Sequence, residues 1–285
     1  MSLWRSLARF AQEPAPSYVF EMSEAGIAYA AGGKRGFEAF PPGTLQASPV
    51  EDNIRVPNAA SDAIHRISPV NGGGRKRRSA ALILPDHSVR ISLLDFDSFP
   101  TAPDERQALV RFRVKKTIPF DIDSASVSYV VQPATGDRKN VDVIAVTVAF
   151  EILARYEALF RGAGFHPGQV TASSLAALDL YREPGVAVIA KLAGNILTVM
   201  AVDEGQLKLF RCLPIEEPSD EEILGVLQPT FAYVEDELGR SVGKLVTCGM
   251  ERVPGGLNVP VELLRSRLGP VNGSNAGLLG YMEAA

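Results

Sequence analysis

The chain has 285 residues, of which 46% are hydrophobic and 22% are charged. That composition is typical of a globular protein and is long enough for two moderate hydrophobic cores. The net charge of −4 and the pI near 5.5 argue against a nucleic-acid binder, which is usually basic. No apolar run reaches the roughly 18 residues that a membrane span needs. With two isolated cysteines and three scattered histidines, we expect a cytoplasmic protein without disulfides or a metal site.

The first part of the chain alternates short strands with turns. Strands are predicted at Tyr18–Met22, Ile27–Ala31 and Gly36–Phe40, because β-rich runs there are separated by polar or glycine turns. The first ten residues have no signal-peptide core and are compatible with a short amphipathic helix. The sequence of residues 59–67 is compatible with a second helix.

Four adjacent cations, Arg75–Arg78, follow a run of glycines. Glycines next to like charges are typical of a flexible, solvated linker, so we predict a subdomain boundary near Ser79. The alternative is an electrostatic contact with an anionic membrane surface.

From residue 80 onwards, hydrophobic periodicity predicts alternating strands and helices. Asp86, His87 and Ser88 form a turn rather than a catalytic triad, because contiguous residues cannot line up as nucleophile, base and orienting acid. Thr101 is predicted to cap a helix with Phe112 on its buried side. The other predicted elements are strands at Ala80–Pro85, Val89–Phe96, Ser126–Gln132, Val141–Val148, Gln169–Ala172 and Lys244–Cys248, helices near Ile152 and Ser174, a helix from the Ser219/Glu222 capping box to Leu238, and a helix at Val261–Leu268.

The segment Val186–Pro214 repeats the pattern that opens the chain. Three strands are separated by the turns at Gly194-Asn195 and at Asp203–Gly205. Two copies of strand–turn–strand–turn–strand predict a duplicated α/β fold with a cleft between its halves.

Motifs that carry catalytic chemistry do not emerge from the sequence. There is no G-x-S-x-G elbow and no G-x-G-x-x-G after a strand. The run Gly239–Leu245 is one residue too short for a phosphate loop, and Leu245 replaces the hydroxyl that would bind Mg²⁺. We therefore name no catalytic residue and favour a binding or scaffold protein.

The order of these elements resembles the PilM family, the actin-like cytoplasmic components of type IV pilus assembly, and more distantly FtsA. The resemblance spans nearly the whole chain. The matching phrases are Ala80–Pro100, Ile118-Pro119-Phe120, Val141–Ala149, Ala163-Gly164-Phe165, Ala172–Leu180 and the segment that ends at Arg211.

The resemblance implies a fold and a domain division. The fold is α/β: an actin-like (ribonuclease H-like) duplicated fold with a small inserted α/β subdomain. We assign residues 1–79 and 165–182 to the first half, 80–164 to the inserted subdomain, and 183–285 to a shortened second half.

The sequence departs from the family at the nucleotide motifs. The family's two D-I-G phosphate motifs fall on Glu21-Met22-Ser23 and on Lys191-Leu192-Ala193, and its adenosine-side glycine pair survives only as Gly249. Lys191 places a cation where Mg²⁺ needs an oxygen ligand, and Ser23 and Ala193 add Cβ atoms where backbone approaches phosphate. We expect no cofactor; ATP without Mg²⁺ stays open, because Lys191 itself can meet a phosphate.

The resemblance also implies a partner. PilM-like proteins bind the cytoplasmic N-terminal peptide of PilN, a membrane protein, and connect the inner-membrane platform to the motor proteins. We place the peptide between the first half and the inserted subdomain, beside the predicted edge strand Ser126–Gln132. The candidate contact residues are Arg111, Lys115, Ile118, Phe120 and Tyr129.

Three functions compete at this point. The first is a non-catalytic cytoplasmic adaptor of a pilus or type II secretion-like platform, at the inner face of the inner membrane. The second is an ATP-binding or ATP-hydrolysing protein of the same fold, such as a kinase relative, which would need a carboxylate base that we cannot identify. The third is a membrane-surface protein that acts through Leu3, Trp4 and Arg75–Arg78.

Overall fold

The computed structural model describes residues 16–68, 78–133, 140–252 and 254–285. The predicted N-terminal helix and the cations Arg75, Lys76 and Arg77 lie outside these ranges. In chain order, the described elements are β1 (Tyr18–Ser23), β2 (Gly26–Ala31), β3 (Lys34–Ala39), α1 (Pro57–Ile67), β4 (Arg78–Leu84), β5 (Arg90–Phe96), α2 (Pro103–Val114), β6 (Ala125–Val131), β7 (Val141–Ala149), α3 (Phe150–Gly162), β8 (Phe165–Ala172), α4 (Ser173–Ala177), β9 (Val186–Ala193), β10 (Ile196–Asp203), β11 (Gln206–Pro214), α5 (Asp220–Leu238), β12 (Lys244–Cys248), β13 (Val261–Leu263) and α6 (Ala276–Ala284).

The two halves contain sheets of the same topology. The first sheet has the strand order β3-β2-β1-β4-β8 and the second β11-β10-β9-β12-β13. In each sheet the first three strands of the copy are antiparallel, and the next two pair in parallel. The predicted duplication is thus present in the pairing of the strands as well as in the sequence pattern.

The central strands are buried because their residues are apolar on both faces. In β4 the five residues from Ala80 to Leu84 are buried, and in β9 the seven from Val186 to Leu192 are buried. The charged residue among them, Lys191, is therefore placed inside the molecule by the register of its strand.

A third sheet, with the order β5-β7-β6, is inserted between β4 and β8. Its strands are antiparallel, and β7 lies in the middle. Helix α2 covers one face, where Val110 and Val114 pack against Leu94, Phe96 and Val143. Residues of the other face, including Ile144 and Val148, join the main core.

The boundaries of this insertion are narrower than the division 80–164. Strand β4 pairs with β1, and Phe160 of α3 packs on Phe20 of the first sheet, so both elements belong to the first half. Likewise, α6 lies within residues 183–285 of the chain but packs on the first half. Its Leu278 and Tyr281 pack against Val19, Ala30 and Ile83 of the first half.

Three predictions about helices fail. Thr101 does not cap α2, because Ala102 is the residue at the N-cap and no side chain accepts a hydrogen bond there. The segment Val261–Leu268 begins with the short strand β13, which pairs in parallel with β12, instead of forming a helix. Phe112 does not pack inward: it lies on the outer side of α2 and is 65% exposed. The N-cap at Ser219, in contrast, is confirmed, because the backbone N–H of Glu222 donates to Ser219 Oγ at the start of α5. The reciprocal half of the capping box is not formed, since the Glu222 side chain accepts from the N–H of Glu216 instead.

Arg78, the described member of the cationic run, has a structural role. Its guanidinium lies 3.9 Å from the centre of the Phe165 ring and donates to Ser68 Oγ and to the carbonyl of Ala163. Of the four cations, this one is therefore not a solvated charge.

We predict opposite effects for two glycine substitutions in helices. A Cβ on Gly280 of α6 would lie 2.0 Å from the carbonyl oxygen of Ala176, so Gly280→Ala forces α6 away from α4 and destabilises the fold by about 1–3 kcal/mol. Gly225 of α5 faces open space, and Gly225→Ala is expected to stabilise by about 0.5–1 kcal/mol. Thermal unfolding of both variants checks this; a stable Gly280→Ala protein would contradict the close contact.

Candidate functional site

The cleft lies where the equivalent turns of the two halves face each other. Residues 21–25 from the β1–β2 turn and Lys191, Ala193 and Gly194 from the β9–β10 turn line the same space. Asp86, Ser173 and Gly273 complete its walls. The fold thus brings together four of the five predicted remnants of the nucleotide site: Glu21, Ser23, Lys191 and Ala193.

Lys191 and Asp86 form a buried ion pair across the cleft. The Lys191 Nζ lies 2.8 Å from Asp86 Oδ2, and the two side chains are 3% and 2% exposed. Lys191 comes from the second half and Asp86 from the turn after β4 in the first half. The pair therefore joins the two halves at a place where both side chains are almost fully buried.

Further donors satisfy the carboxylate of Asp86. The backbone N–H of Ser174 donates to Oδ1 at 2.7 Å, and the Ser174 hydroxyl donates to Oδ2 at 2.5 Å. Thr198 Oγ1 donates to the same oxygen at 3.2 Å. A buried charge is tolerated only when it is paired and hydrogen-bonded, and Asp86 meets both conditions.

Glu21 is the second buried acid of the cleft. One of its oxygens accepts from the Ser173 hydroxyl, and the other accepts from the backbone N–H of Leu278 at 2.7 Å. Burial raises the pKa of Glu21, and the charge of Lys191 and these two hydrogen bonds offset part of that rise. This site thus holds three ionisable residues, two acids and one base, with the base on the opposite half.

The environment fixes the protonation of Lys191. Burial acts to lower the pKa of its ammonium, but the carboxylates of Asp86 and Glu21 together outweigh that effect, so the pKa is raised. The nearby thiols of Cys212 and Cys248 have their pKa raised to about 12, chiefly by burial. They are therefore protonated at neutral pH.

The other predicted nucleotide-site residues, Ser23 and Gly249, contact the protein's own backbone. Ser23 Oγ donates to the carbonyl of Gly26 and so closes its own turn. Gly249 lies against backbone: a Cβ there would sit 2.1 Å from the Leu192 carbonyl oxygen and 2.9 Å from the Gly273 nitrogen. The loop at Gly273 packs on Leu192 in the same way, so neighbouring protein backbone lies close to Gly249.

The space that remains is too small for a nucleotide in this conformation. The cavity measures about 50 Å³, whereas small-molecule sites usually measure about 300–1,000 Å³. The two carboxyl groups of the cleft, those of Glu21 and Asp86, are already hydrogen-bonded, and Asp86 is paired with Lys191. Among the described residues, no group of three or more potential metal ligands was found.

The turn Asp86–Ser88 confirms the interpretation of the apparent triad. Asp86 points to Lys191, whereas Ser88 Oγ donates to Asn53 and contacts the Tyr156 hydroxyl. Burial lowers the pKa of His87, with Arg90 adding to the effect. The three side chains do not form a relay.

The predicted partner residues lie together in the inserted subdomain, but Arg111 has an internal role. Its guanidinium donates to the carbonyl oxygens of Ile122 and Ala125 at 2.6 and 3.2 Å. A change at Arg111 would therefore disturb the start of β6 as well as any contact with a partner.

Strand β6 is the edge of its sheet, but half of that edge is covered. The N–H of Gln132 donates to Asp142, directly opposite it, so alternate residues from Val131 back to Ala125 point their backbone groups outward. Arg111 occupies the outward carbonyl of Ala125, and Gln107 occupies that of Val127 at 2.9 Å. Only the stretch Tyr129–Val131 has a free edge, as far as the described contacts go.

The remaining candidates vary in exposure. Lys115 is exposed, Ile118 and Phe120 are half-buried, and Tyr129 packs edge-on against Phe99. The exposed Phe112, which the sequence placed in the core, is a surface residue of the same helix that the prediction missed. The spacing of the nearby cations Arg111, Arg113 and Lys115 does not distinguish the buried face of α2 from its exposed face.

Within the described ranges, no helix has the length and hydropathy to cross a membrane.

We predict that Lys191→Met destabilises the protein by about 3–5 kcal/mol, because it removes one partner of a buried ion pair and leaves the charge of Asp86 unmatched. Urea unfolding followed by circular dichroism measures the loss. The double variant Lys191→Met/Asp86→Asn should recover part of it. Wild-type stability of the single variant would show that the pair does not hold the halves together.

The same variant has a pH signature. Because the folded-state pKa of Lys191 is raised above 10.5, its contribution is complete below pH 10.5 and is lost as the pH rises through the folded-state value. The stability gap between the wild type and Lys191→Met should therefore shrink above pH 10.5. Lys244→Met is the matched control: it breaks the surface pairs with Glu183 and Glu262, which water screens, and should cost much less.

No protein-family model matches the sequence, and a search of curated proteins found no significant match. The similarities are to solved structures. A chain of the PilM–PilN type IV pilus biogenesis complex aligns with a TM-score of 0.67 at 16% identity, over 96% of this chain and 100% of that one.

Two further structures extend the comparison. The cytoplasmic domain of EpsL, an inner-membrane component of the type II secretion system of Vibrio cholerae, aligns with a TM-score of 0.55 at 16% identity, over 94% of this chain and 93% of that one. A Bacteroides thetaiotaomicron protein with an actin-like ATPase fold aligns with a TM-score of 0.53 at 12% identity, over 100% and 99%. The expected fold is thereby confirmed: the chain has an actin-like α/β fold.

Proposed function

We propose that this protein is a non-catalytic cytoplasmic adaptor of a type IV pilus or type II secretion-like platform, positioned at the inner face of the inner membrane. Two similar structures belong to such systems, the PilM–PilN complex and the EpsL cytoplasmic domain. The sequence resemblance to PilM, found from the order of the elements, points the same way. Its place would be between a PilN-like membrane protein and the motor proteins.

The observation that carries the non-catalytic half of this proposal is the buried pair Lys191–Asp86. An ATP-switched actin fold needs its cleft to admit a nucleotide and a divalent cation. Here Lys191 of the second half supplies the positive charge that a divalent cation would bring, and Asp86 of the first half is its anionic partner. The protein thus carries its own counter-ion, and we infer that nucleotide does not control it.

We predict that calorimetry with Mg·ATP, at concentrations up to millimolar, gives no binding heat, and that no phosphate is released. The reason is that a nucleotide would have to displace the ion pair from a cavity of about 50 Å³. Titration of ATP with EDTA tests the one escape, a phosphate bound by Lys191 alone. Micromolar, Mg²⁺-dependent affinity would favour the competing ATP-dependent function.

The partner site is proposed on the inserted subdomain. The free stretch Tyr129–Val131 can accept a short extended segment by backbone pairing, and Lys115 and Lys116 at the end of α2 are exposed cations without internal partners among the described residues. These features suit a short peptide with acidic residues. The backbone pairing with such a peptide would be short, because side chains of α2 cover the rest of the β6 edge.

We predict that Lys115→Glu/Lys116→Glu weakens binding of a synthetic peptide from the cytoplasmic N-terminus of a PilN-like partner, and that the loss is larger at low salt than at high salt. Fluorescence polarisation measures the affinity. Lys34→Glu, an exposed cation on β3 of the first sheet, is the matched control and should bind like the wild type.

A second variant, Tyr129→Pro, removes an outward N–H without breaking the pairing to β7, and should also weaken the peptide. Unchanged affinity in both variants, with circular dichroism showing native folding, would exclude this face. It would leave the adaptor role intact, because the peptide would then bind elsewhere.

A further inference from the structure

Gln132 of the inserted subdomain contacts the backbone of the second half. Gln132 directly follows β6, where the loop of the β6–β7 hairpin begins, and is 5% exposed. Its Nε2 donates to the carbonyl oxygen of Leu207 at 2.9 Å, and its Oε1 accepts from the N–H of Leu207 at 2.9 Å. A primary amide presents a donor and an acceptor on the same side, as the N–H and the C=O of a single strand residue do. Gln132 thus takes the place of one residue of a neighbouring strand beside β11.

Strand β11 is shaped to receive this amide. It is the edge strand of the second sheet, so its outer backbone groups have no strand partner there. The register with β10 shifts between Ala201 and Val202, so that Leu207 pairs with Val202 while Leu209 pairs with Ala201. Lys208 is the extra residue of this bulge, and a bulge re-aims the side chain of the bulged strand.

The re-aimed Lys208 adds a second contact. Its Nζ lies 2.7 Å from Oδ2 of Asp142, the residue opposite Gln132 in the hairpin. On the other side, the side chain of Gln206 donates to the carbonyl of Pro133. Three consecutive residues of β11 therefore bind the base of one hairpin, and the fold brings the two segments together across 75 positions of sequence.

We propose that this amide latch, Gln132 on Leu207, fixes the inserted subdomain to the second half, so that the two move as one body. The position of the insertion is then set by protein contacts and not by a ligand in the cleft. The latch does not depend on the partner or on the adaptor role proposed above. Buried amide and backbone groups cost free energy when unpaired, which gives the latch its strength.

The experiment compares Gln132→Ala with a matched control, Gln107→Ala. Gln107 makes a similar side-chain bond to a backbone carbonyl, that of Val127, but wholly within the inserted subdomain. Hydrogen exchange resolved to the Leu207 amide should accelerate by about tenfold or more in Gln132→Ala and stay at the wild-type rate in Gln107→Ala.

A distance measurement tests the motion. Spin labels on Asp104→Cys in α2 and Glu221→Cys in α5, both exposed positions, report the separation of the insertion and the second half. The labels are introduced in a protein that also carries Cys212→Ala and Cys248→Ala, because Cys212 is partly exposed and would otherwise be labelled too. We expect one narrow distance distribution in the wild type and in Gln107→Ala, and a broad or shifted one in Gln132→Ala.

Two outcomes would overturn the latch. One is an unchanged narrow distribution in Gln132→Ala, which would mean that other contacts hold the insertion. The other needs no variant: in the wild type, a Leu207 amide that exchanges as fast as a solvent-exposed amide would show that Gln132 does not protect it. The wild-type measurement also decides the matter if Gln132→Ala fails to fold.

Discussion

A charge in the interior constrains everything around it, and in this protein that charge is the ammonium of Lys191. Removing it from water is costly, so its carboxylate partner must be close and must have its other lone pairs filled. The helix start at Ser174 and the hydroxyl of Thr198 meet that requirement for Asp86. The acid Glu21, held by Ser173 and Leu278, adds a second carboxyl group to the same site. One lysine thus organises α4, β10 and α6 around a single point between the halves.

This arrangement explains how an actin-like fold can serve as a fixed scaffold. In such a fold the cleft is the joint between two similar halves, and whatever occupies it sets their angle. Here a side chain from one half takes that position and is covalently part of the protein. Under the proposed function, the joint has the same occupant at every concentration of nucleotide, and a surface built on both halves keeps one shape. That constancy suits a protein whose proposed task is to hold partners in place.

The sequence was sufficient for the strands and for the duplication, because long apolar runs such as Val186–Leu192 leave few alternatives. It also identified Lys191 as the residue that breaks the nucleotide motif. It did not find Asp86 as the partner, because the two are 105 positions apart and a turn aspartate looks like any other. It misplaced Phe112 because both faces of α2 carry arginines and apolar residues, so periodicity cannot tell them apart. It missed the strand at Val261–Leu263, whose pairing with β12 depends on tertiary contact.

The hydrogen bond from Leu278 to Glu21 spans 257 positions of sequence. A ribosome makes the chain from its N-terminus, so the first sheet emerges long before the helix that completes its buried acid. Until residue 278 has left the exit tunnel, one oxygen of Glu21 lacks its backbone donor, and the α6 side of that sheet lacks its cover. The first half therefore cannot mature as an independent unit during synthesis. Its completion has to wait for α6, because that helix supplies both the cover of the sheet and the backbone donor to Glu21.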